Sequence, residues 1–143
     1  MKGPLTILIA EDDDGDLILL KRAFDKVSPQ TRLMVVKDGE DALRYLKRTS
    51  EVDGTPAFPF PQVILLDLAM PRRGGFEVIE LVRSDPRLRK LPIIVMSGES
   101  NSEEVARAYE LGANAYFLKP NDPEELYKMV ASLLPFGLDL PSS

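Results

Sequence analysis

Four positions carry most of the chemistry open to this chain. Glu11-Asp12 follows the apolar run Ile7–Ala10, Asp67 follows Val63–Leu66, and Lys119 follows Ala115–Leu118. Short apolar runs bounded by turn signals read as buried parallel strands, which present their functional groups at their carboxyl ends. If those strands are neighbours, one crevice holds three carboxylates and an ammonium. Two carboxylates about 5 Å apart repel by roughly 3 kcal/mol at an effective dielectric of about 20, and without a cation they would raise their pKa values and partly neutralise. Oxygen ligands alone, in a chain with no His and no Cys, point to a hard cation, Mg²⁺ or Mn²⁺. Lys119 is a point charge for a carboxylate or a phosphoryl oxygen, and the bond to Pro120 is a candidate cis peptide that would aim it. Ser97-Gly98 ends a further run, Ile93–Met96. A hydroxyl beside a residue without a side chain lets a phosphate approach.

Plainer roles compete for the same residues. Glu11, Asp12, Asp13, Asp14 and Asp16 put five carboxylates within six positions. One of them must cap the helix that follows, where an anion gains ~0.3–1 kcal/mol from the dipole, and Asp13 or Asp14 suits that task. Capping leaves the acids at the strand end itself unexplained. Asp67 alone could be a turn former, Ser97-Gly98 alone a turn, and Lys119 a structural ion pair with Asp67, which is compatible with contacting phosphate.

The elements that must position these groups alternate along the chain. Strand-like Leu5–Ala10, Leu33–Val36, Val63–Leu66, Ile93–Met96 and Ala115–Leu118 are each followed by a helical pattern. Those helices are expected over Asp16–Val27 (Leu17, Leu20, Ala23, Phe24 and Val27 inward), Gly39–Lys47 (Ala42, Leu43 and Leu46), Phe76–Arg83 (Val78, Ile79 and Val82), Ser102–Leu111 and Pro123–Leu134. Such alternation predicts an α/β fold, a doubly wound five-stranded parallel sheet with right-handed crossovers and helices on both faces. Gly112 suits a left-handed helix end, and Ser102 with Glu103-Glu104 a helix start. Thr49–Gln62, with Gly54, Pro56, Pro59 and Pro61, reads as a long loop.

At 143 residues the chain is expected to be one domain, 1–143, with a core over about 5–134 and a short tail over 135–143. That tail is too short for an output domain; Phe136, Leu138 and Leu140 in it could pack locally or against a second copy, so monomer and homodimer both stay open. A hydrophobic fraction of 44% with 29% charged residues is that of a soluble globular protein. A net charge of -5 argues against a nucleic-acid partner, and Arg72-Arg73 and Arg87/Arg89/Lys90 read as solvated loops. The chain has no apolar stretch near the ~20 residues of a membrane span and no signal-peptide core. The expected location is cytoplasmic, with no membrane partner. Lacking His, the chain cannot carry a phosphohistidine; a partner must.

Glu-Asp after the first strand, Asp after the third, Ser after the fourth and Lys-Pro after the fifth resembles the receiver domain of two-component response regulators. The resemblance extends over roughly residues 5–134. It includes Asp67-Leu68-Ala69-Met70-Pro71 with Gly74-Gly75, and Leu111-Gly112-Ala113 with Tyr116-Phe117-Leu118-Lys119-Pro120. It implies a flavodoxin-like receiver fold like that of the chemotaxis regulator, and a phosphoacceptor that is not an enzyme on other substrates. Asp67 would accept a phosphoryl group from the phosphohistidine of a sensor histidine kinase. Asp12 would ligate Mg²⁺ directly and Glu11 mainly through water, with Asp67 and the Ala69 carbonyl completing the protein ligands. Lys119 and the Ser97 hydroxyl would hold phosphoryl oxygens. Ser97 would move inward and Tyr116 swing after it, changing the surface that a downstream protein target reads.

The chain departs from the family pattern at three places. Glu11 stands where Asp is common, Ala69 where a polar side chain is frequent, and Asn114-Ala115 where one DNA-binding subgroup has an acidic pair. The long loop and the absence of an output domain resemble regulators paired with phytochrome-type kinases. A pseudo-receiver, an interaction module without phosphorylation, is the alternative. An Asp-nucleophile phosphohydrolase of the haloacid dehalogenase type would need a second acid at Ala69, and a flavodoxin-like cofactor binder would set a flavin phosphate against an acidic crevice.

Overall fold

The protein, a computed structural model, is described over residues 5–48, 51–52, 55–56, 59–70, 74–99 and 101–138. Five strands and five helices alternate: β1 (Thr6–Ala10), α1 (Asp14–Val27), β2 (Arg32–Val36), α2 (Gly39–Arg48), β3 (Val63–Asp67), α3 (Gly75–Ser84), β4 (Ile93–Ser97), α4 (Ser102–Leu111), β5 (Ala115–Leu118) and α5 (Pro123–Leu138). The strands form one parallel sheet in the order β2-β1-β3-β4-β5, the expected doubly wound architecture. Between α2 and β3, Glu51–Val52 pairs antiparallel with Thr55–Pro56, a small ladder within the segment expected to be a loop. Among the described residues no helix is long and apolar enough to cross a membrane.

Every residue of β1, β3 and β4 is buried, because helices cover both faces and a strand between two covered faces has no polar side. The alternation of side chains splits the core in two. Ile7, Ile9, Val63, Leu65, Ile94 and Met96 pack under α1 and α5 with Leu20, Phe24 and Val130. Leu8, Ala10, Ile64, Leu66, Ile93 and Val95 pack under α2, α3 and α4 with Leu46, Ile79 and Ala108.

Helix ends differ from expectation where capping decides them. α1 starts at Asp14 rather than Asp16, because the Asp13 carboxylate accepts the Asp16 N–H at 2.8 Å. α4 does start at Ser102 as expected, with Asn101 capping it by accepting the Glu104 N–H at 2.8 Å. In α2 the side chain buried beside Ala42 and Leu46 is Tyr45, whereas Leu43 is only partly covered. The Tyr45 hydroxyl donates to the Pro59 carbonyl at 2.7 Å, which satisfies the polar end of a buried ring and fastens the chain before it enters β3. The α5 backbone continues to Leu138 instead of ending at Leu134, so the first residues of the expected tail 135–143 are helical. The expected tail beyond it, residues 139–143, lies outside the described residues, as do Arg72 and Arg73.

Gly112 ends α4 with φ of +118°, the left-handed position expected for it. A Cβ there would lie 2.8 Å from Cγ and Nε of Arg83, whose guanidinium donates to the carbonyls of Gly112, Leu91 and Arg89 and to Asn114 Oδ1. Gly112→Ala is therefore expected to cost at least about 1–2 kcal/mol from backbone strain alone, read as a lower urea midpoint with an unchanged m-value.

Candidate functional site

Strand adjacency assembles the site. β1 lies beside β3 with Ala10 opposite Leu66, so the next residues, Glu11 and Asp67, stand side by side at the carboxyl edge. On the other side of β3, Asp67 faces Met96 of β4, and Ser97 faces Leu118 of β5. The Lys119 N–H donates to the Ser97 carbonyl at 2.7 Å, and the Glu11 N–H to the Val36 carbonyl at 3.0 Å. Backbone pairing thus anchors Glu11 and Lys119 before any side-chain contact forms.

One carboxylate oxygen each from Glu11, Asp12 and Asp67 lies within 4.8 Å of the others. Glu11 and Asp67 are buried and Asp12 is exposed, giving a cluster with an open side. Glu11 Oε2 accepts the Asp13 N–H at 3.1 Å, and Asp67 Oδ1 accepts the Ala69 N–H at 3.1 Å. Lys119 Nζ lies 2.8 Å from Asp16 Oδ2, 2.9 Å from Glu11 Oε1 and 3.4 Å from Asp67 Oδ2. The ion pair with Asp67 exists, but it is the longest of the three. Behind Asp67, a Cβ on Gly75 would come within 2.8 Å of Leu68 Cα, so a glycine there lets α3 begin against the loop that carries Ala69.

Glu11 Oε1 is buried without a hydrogen-bond donor. Its contact with Lys119 is close in distance but misaligned, an attraction between charges rather than a hydrogen bond. A buried acceptor left open, in a donor set made only of oxygens, fits a hard divalent cation. Burial pushes the Glu11 carboxyl up to about 7, with the Asp67 carboxyl beside it adding to the rise and Lys119 and the Asp13 N–H opposing it. Burial disfavours the Lys119 ammonium, but the hydrogen bond to Asp16 and the close negative charges of Glu11 and Asp67 outweigh it, so its pKa lies above the usual lysine value.

The other expected residues reach the same edge with different partners. The Ser97 hydroxyl donates to the Glu99 carbonyl at 2.9 Å, in the loop after β4, rather than to Asp67. The Tyr116 hydroxyl donates to that same carbonyl at 2.9 Å, with Glu104 Oε2 at 3.5 Å. The Lys119–Pro120 bond is trans, contrary to the cis candidate. Trans is the default by ~0.5–1 kcal/mol, and the β5 backbone and the surrounding carboxylates aim the ammonium without a cis bond. Asp13 takes the capping role, while Asp14 pairs with Lys37 across the surface.

Two residues carry roles that their sequence context does not mark. Asp16 holds Lys119, yet in sequence it is only the last of five acids crowded into six positions. Asn114 accepts the Ile93 N–H at 2.8 Å and an Arg83 N–H at 2.9 Å, so it fastens the entry of β4 to α3; its only signal was a departure from an acidic pair.

Over residues 7–131 the chain matches the response regulator receiver domain. Response regulator Rcp1 of Synechocystis sp. is 31% identical over 136 residues, covering 95% of this chain and 90% of that protein. The crystal structure of Rcp1 in its Mn(2+)-bound form is similar with a TM-score of 0.79 at 30% identity, over 97% of this chain and 98% of that one. The phosphorylated cyanobacterial phytochrome response regulator RcpA gives 0.82 at 28% identity, over 98% of both chains. Response regulator RPA3017 in red light signaling of R. palustris gives 0.85 at 34% identity, over 97% of this chain and 99% of that one.

Proposed function

Because this chain belongs to the response regulator receiver family, a phosphoacceptor of two-component signalling and not a catalytic enzyme, we propose that Asp67 is its phosphoacceptor. The observation that carries this is a buried Asp67 between an acidic pair and a lysine ammonium at one sheet edge. Similarity to phytochrome response regulators implies a histidine kinase as the partner. In this reading that kinase is of the phytochrome type, and a downstream protein target reads the altered surface.

Phosphoryl transfer asks the protein for in-line placement and charge neutralisation more than for covalent chemistry. An ionised Asp67 needs no general base. One of its oxygens forms the new O–P bond as the N–P bond of the donor phosphohistidine breaks, and the departing electron pair stays on the imidazole. The Ala69 N–H holds Asp67 Oδ1, which leaves Oδ2 to attack on the side facing Lys119. Glu11, Asp12, Asp67 and the Ala69 carbonyl would hold Mg²⁺, with Mn²⁺ as a substitute. When bound, the cation neutralises charge on the phosphoryl oxygens. Lys119 takes up a phosphoryl oxygen, and Ser97 does the same by releasing the Glu99 carbonyl that it shares with Tyr116. Loss of one of two donors on a single carbonyl frees the loop between β4 and α4 to move, and Tyr116 with it. A switch from mostly off to mostly on needs roughly 5.5 kcal/mol, within reach of a few charge-assisted bonds at about 1.5–3 kcal/mol each.

Intact mass after incubation with acetyl phosphate, with and without Mg²⁺, tests this reading. The expected result is a Mg²⁺-dependent phosphoryl adduct that fragmentation places on Asp67. A folded, cation-binding protein that takes no adduct from acetyl phosphate or from a purified kinase donor would favour the pseudo-receiver reading.

A further inference from the structure

Lys119 makes its shortest contact outside the three clustered carboxylates. Nζ donates to Asp16 Oδ2 at 2.8 Å, while Asp67 Oδ2 lies at 3.4 Å. Both ends of the shorter bond are fixed by backbone. The Asp16 N–H is held by the Asp13 cap at 2.8 Å, and Lys119 leaves β5 with its N–H on the Ser97 carbonyl. The Asp16 side chain is about one-third exposed and that of Lys119 about one-fifth, so neither is a freely moving surface group. The nearby Asp14 is far more exposed and pairs with Lys37.

We propose that Asp16 is a positioning residue that draws Lys119 away from the nucleophile before phosphorylation and must release it afterwards. The proposal rests on the reading of Asp67 as phosphoacceptor. An ammonium seated fully on Asp67 would compete with both a cation and the incoming phosphorus for the same oxygens. Asp16 offers it another partner, and Asp67 keeps only the long contact. Once phosphoryl oxygens are present, Lys119 turns to them and the Asp16 bond breaks. That bond therefore favours the unphosphorylated state, and removing the carboxylate while keeping the side-chain shape shifts the balance toward the phosphoryl-bound state.

The test is the affinity for beryllium trifluoride, a phosphoryl mimic, at saturating Mg²⁺, read by fluorine NMR on the full chain. Asp16→Asn is expected to lower the half-saturating concentration by roughly three- to fivefold. Asp14→Asn, which removes the same charge from the same helical turn, is expected to stay near the wild type, as is Asp16→Glu, which keeps a carboxylate within reach. Asp16→Ser gives the same reading should Asn disturb the first turn of α1. Unchanged or weaker binding in Asp16→Asn and Asp16→Ser overturns the proposal. Equal tightening in Asp14→Asn also overturns it, because the effect is then one of general charge. A wild type that binds no mimic overturns the phosphoacceptor reading and this role with it; a wild type that binds while the variants match it overturns this role alone.

Discussion

Replacing Lys119 with methionine is expected to slow phosphoryl uptake from acetyl phosphate by about 10²–10³-fold, the usual loss when a preorganised charge-stabilising donor is removed. Methionine keeps most of the aliphatic stem, so the variant isolates the ammonium. The same change leaves Glu11, Asp16 and Asp67 without the cation now 2.8–3.4 Å from each. Removing one partner from a largely buried ion pair costs about 3–5 kcal/mol, and partial exposure of Lys119 and Asp16 brings the expected loss nearer to about 2 kcal/mol. Mg²⁺ should recover more stability in the variant than in the wild type, because a bound cation relieves the same repulsion. Time courses of intact mass, with urea unfolding in the presence and absence of Mg²⁺, check both parts. Uptake within about tenfold of the wild type would remove Lys119 from the handling of the phosphoryl group.

The metal-free protein is expected to lose stability as pH rises through neutrality. Glu11 has a folded-state pKa of about 7 against an ordinary 4.5, so the fold holds that proton more tightly than the unfolded chain does. The resulting stability is fully present below about pH 4.5 and is lost as pH rises through about 7, a change on the order of 2–3 kcal/mol. A cation at the site must displace the same proton. Mg²⁺ affinity should therefore climb with pH up to about 7 and flatten above it. Thermal melts of the metal-free protein from about pH 5 to about pH 8, compared with Glu11→Gln, test the assignment. The variant should lose most of the slope, and an unchanged slope would place the proton elsewhere.

Local chemistry is legible in the amino-acid sequence. Runs such as Ile7–Ala10 and Val63–Leu66 are apolar without alternation because both of their faces are covered, and that pattern needs no coordinates to be seen. The stripe Leu17, Leu20, Ala23 and Phe24, and the glycine after Leu111, announce a helix and its end through rules that span only a few residues. Residues at the ends of such strands must meet at one edge, so the order of Glu11, Asp12, Asp67, Ser97 and Lys119 along the chain assigns them to one place.

Choice among partners is not legible in this way. Lys119 has several acids available, and its shortest bond goes to Asp16, 103 positions away, because α1 packs beside α5 on the same face and its first turn comes within reach of the Lys119 side chain. Ser97 and Tyr116 share the Glu99 carbonyl, an acceptor that every residue carries and no motif marks. Tyr45 is more deeply buried than Leu43, and the Pro59 carbonyl that satisfies its hydroxyl is likewise marked by no motif. Order along the chain and short-range periodicity determined the fold and brought the charges together at one edge. Which of those charges touch, and which hydroxyl faces which carbonyl, was decided only by tertiary packing, since such contacts depend on ångström-scale placement of elements whose sequences carry no record of one another.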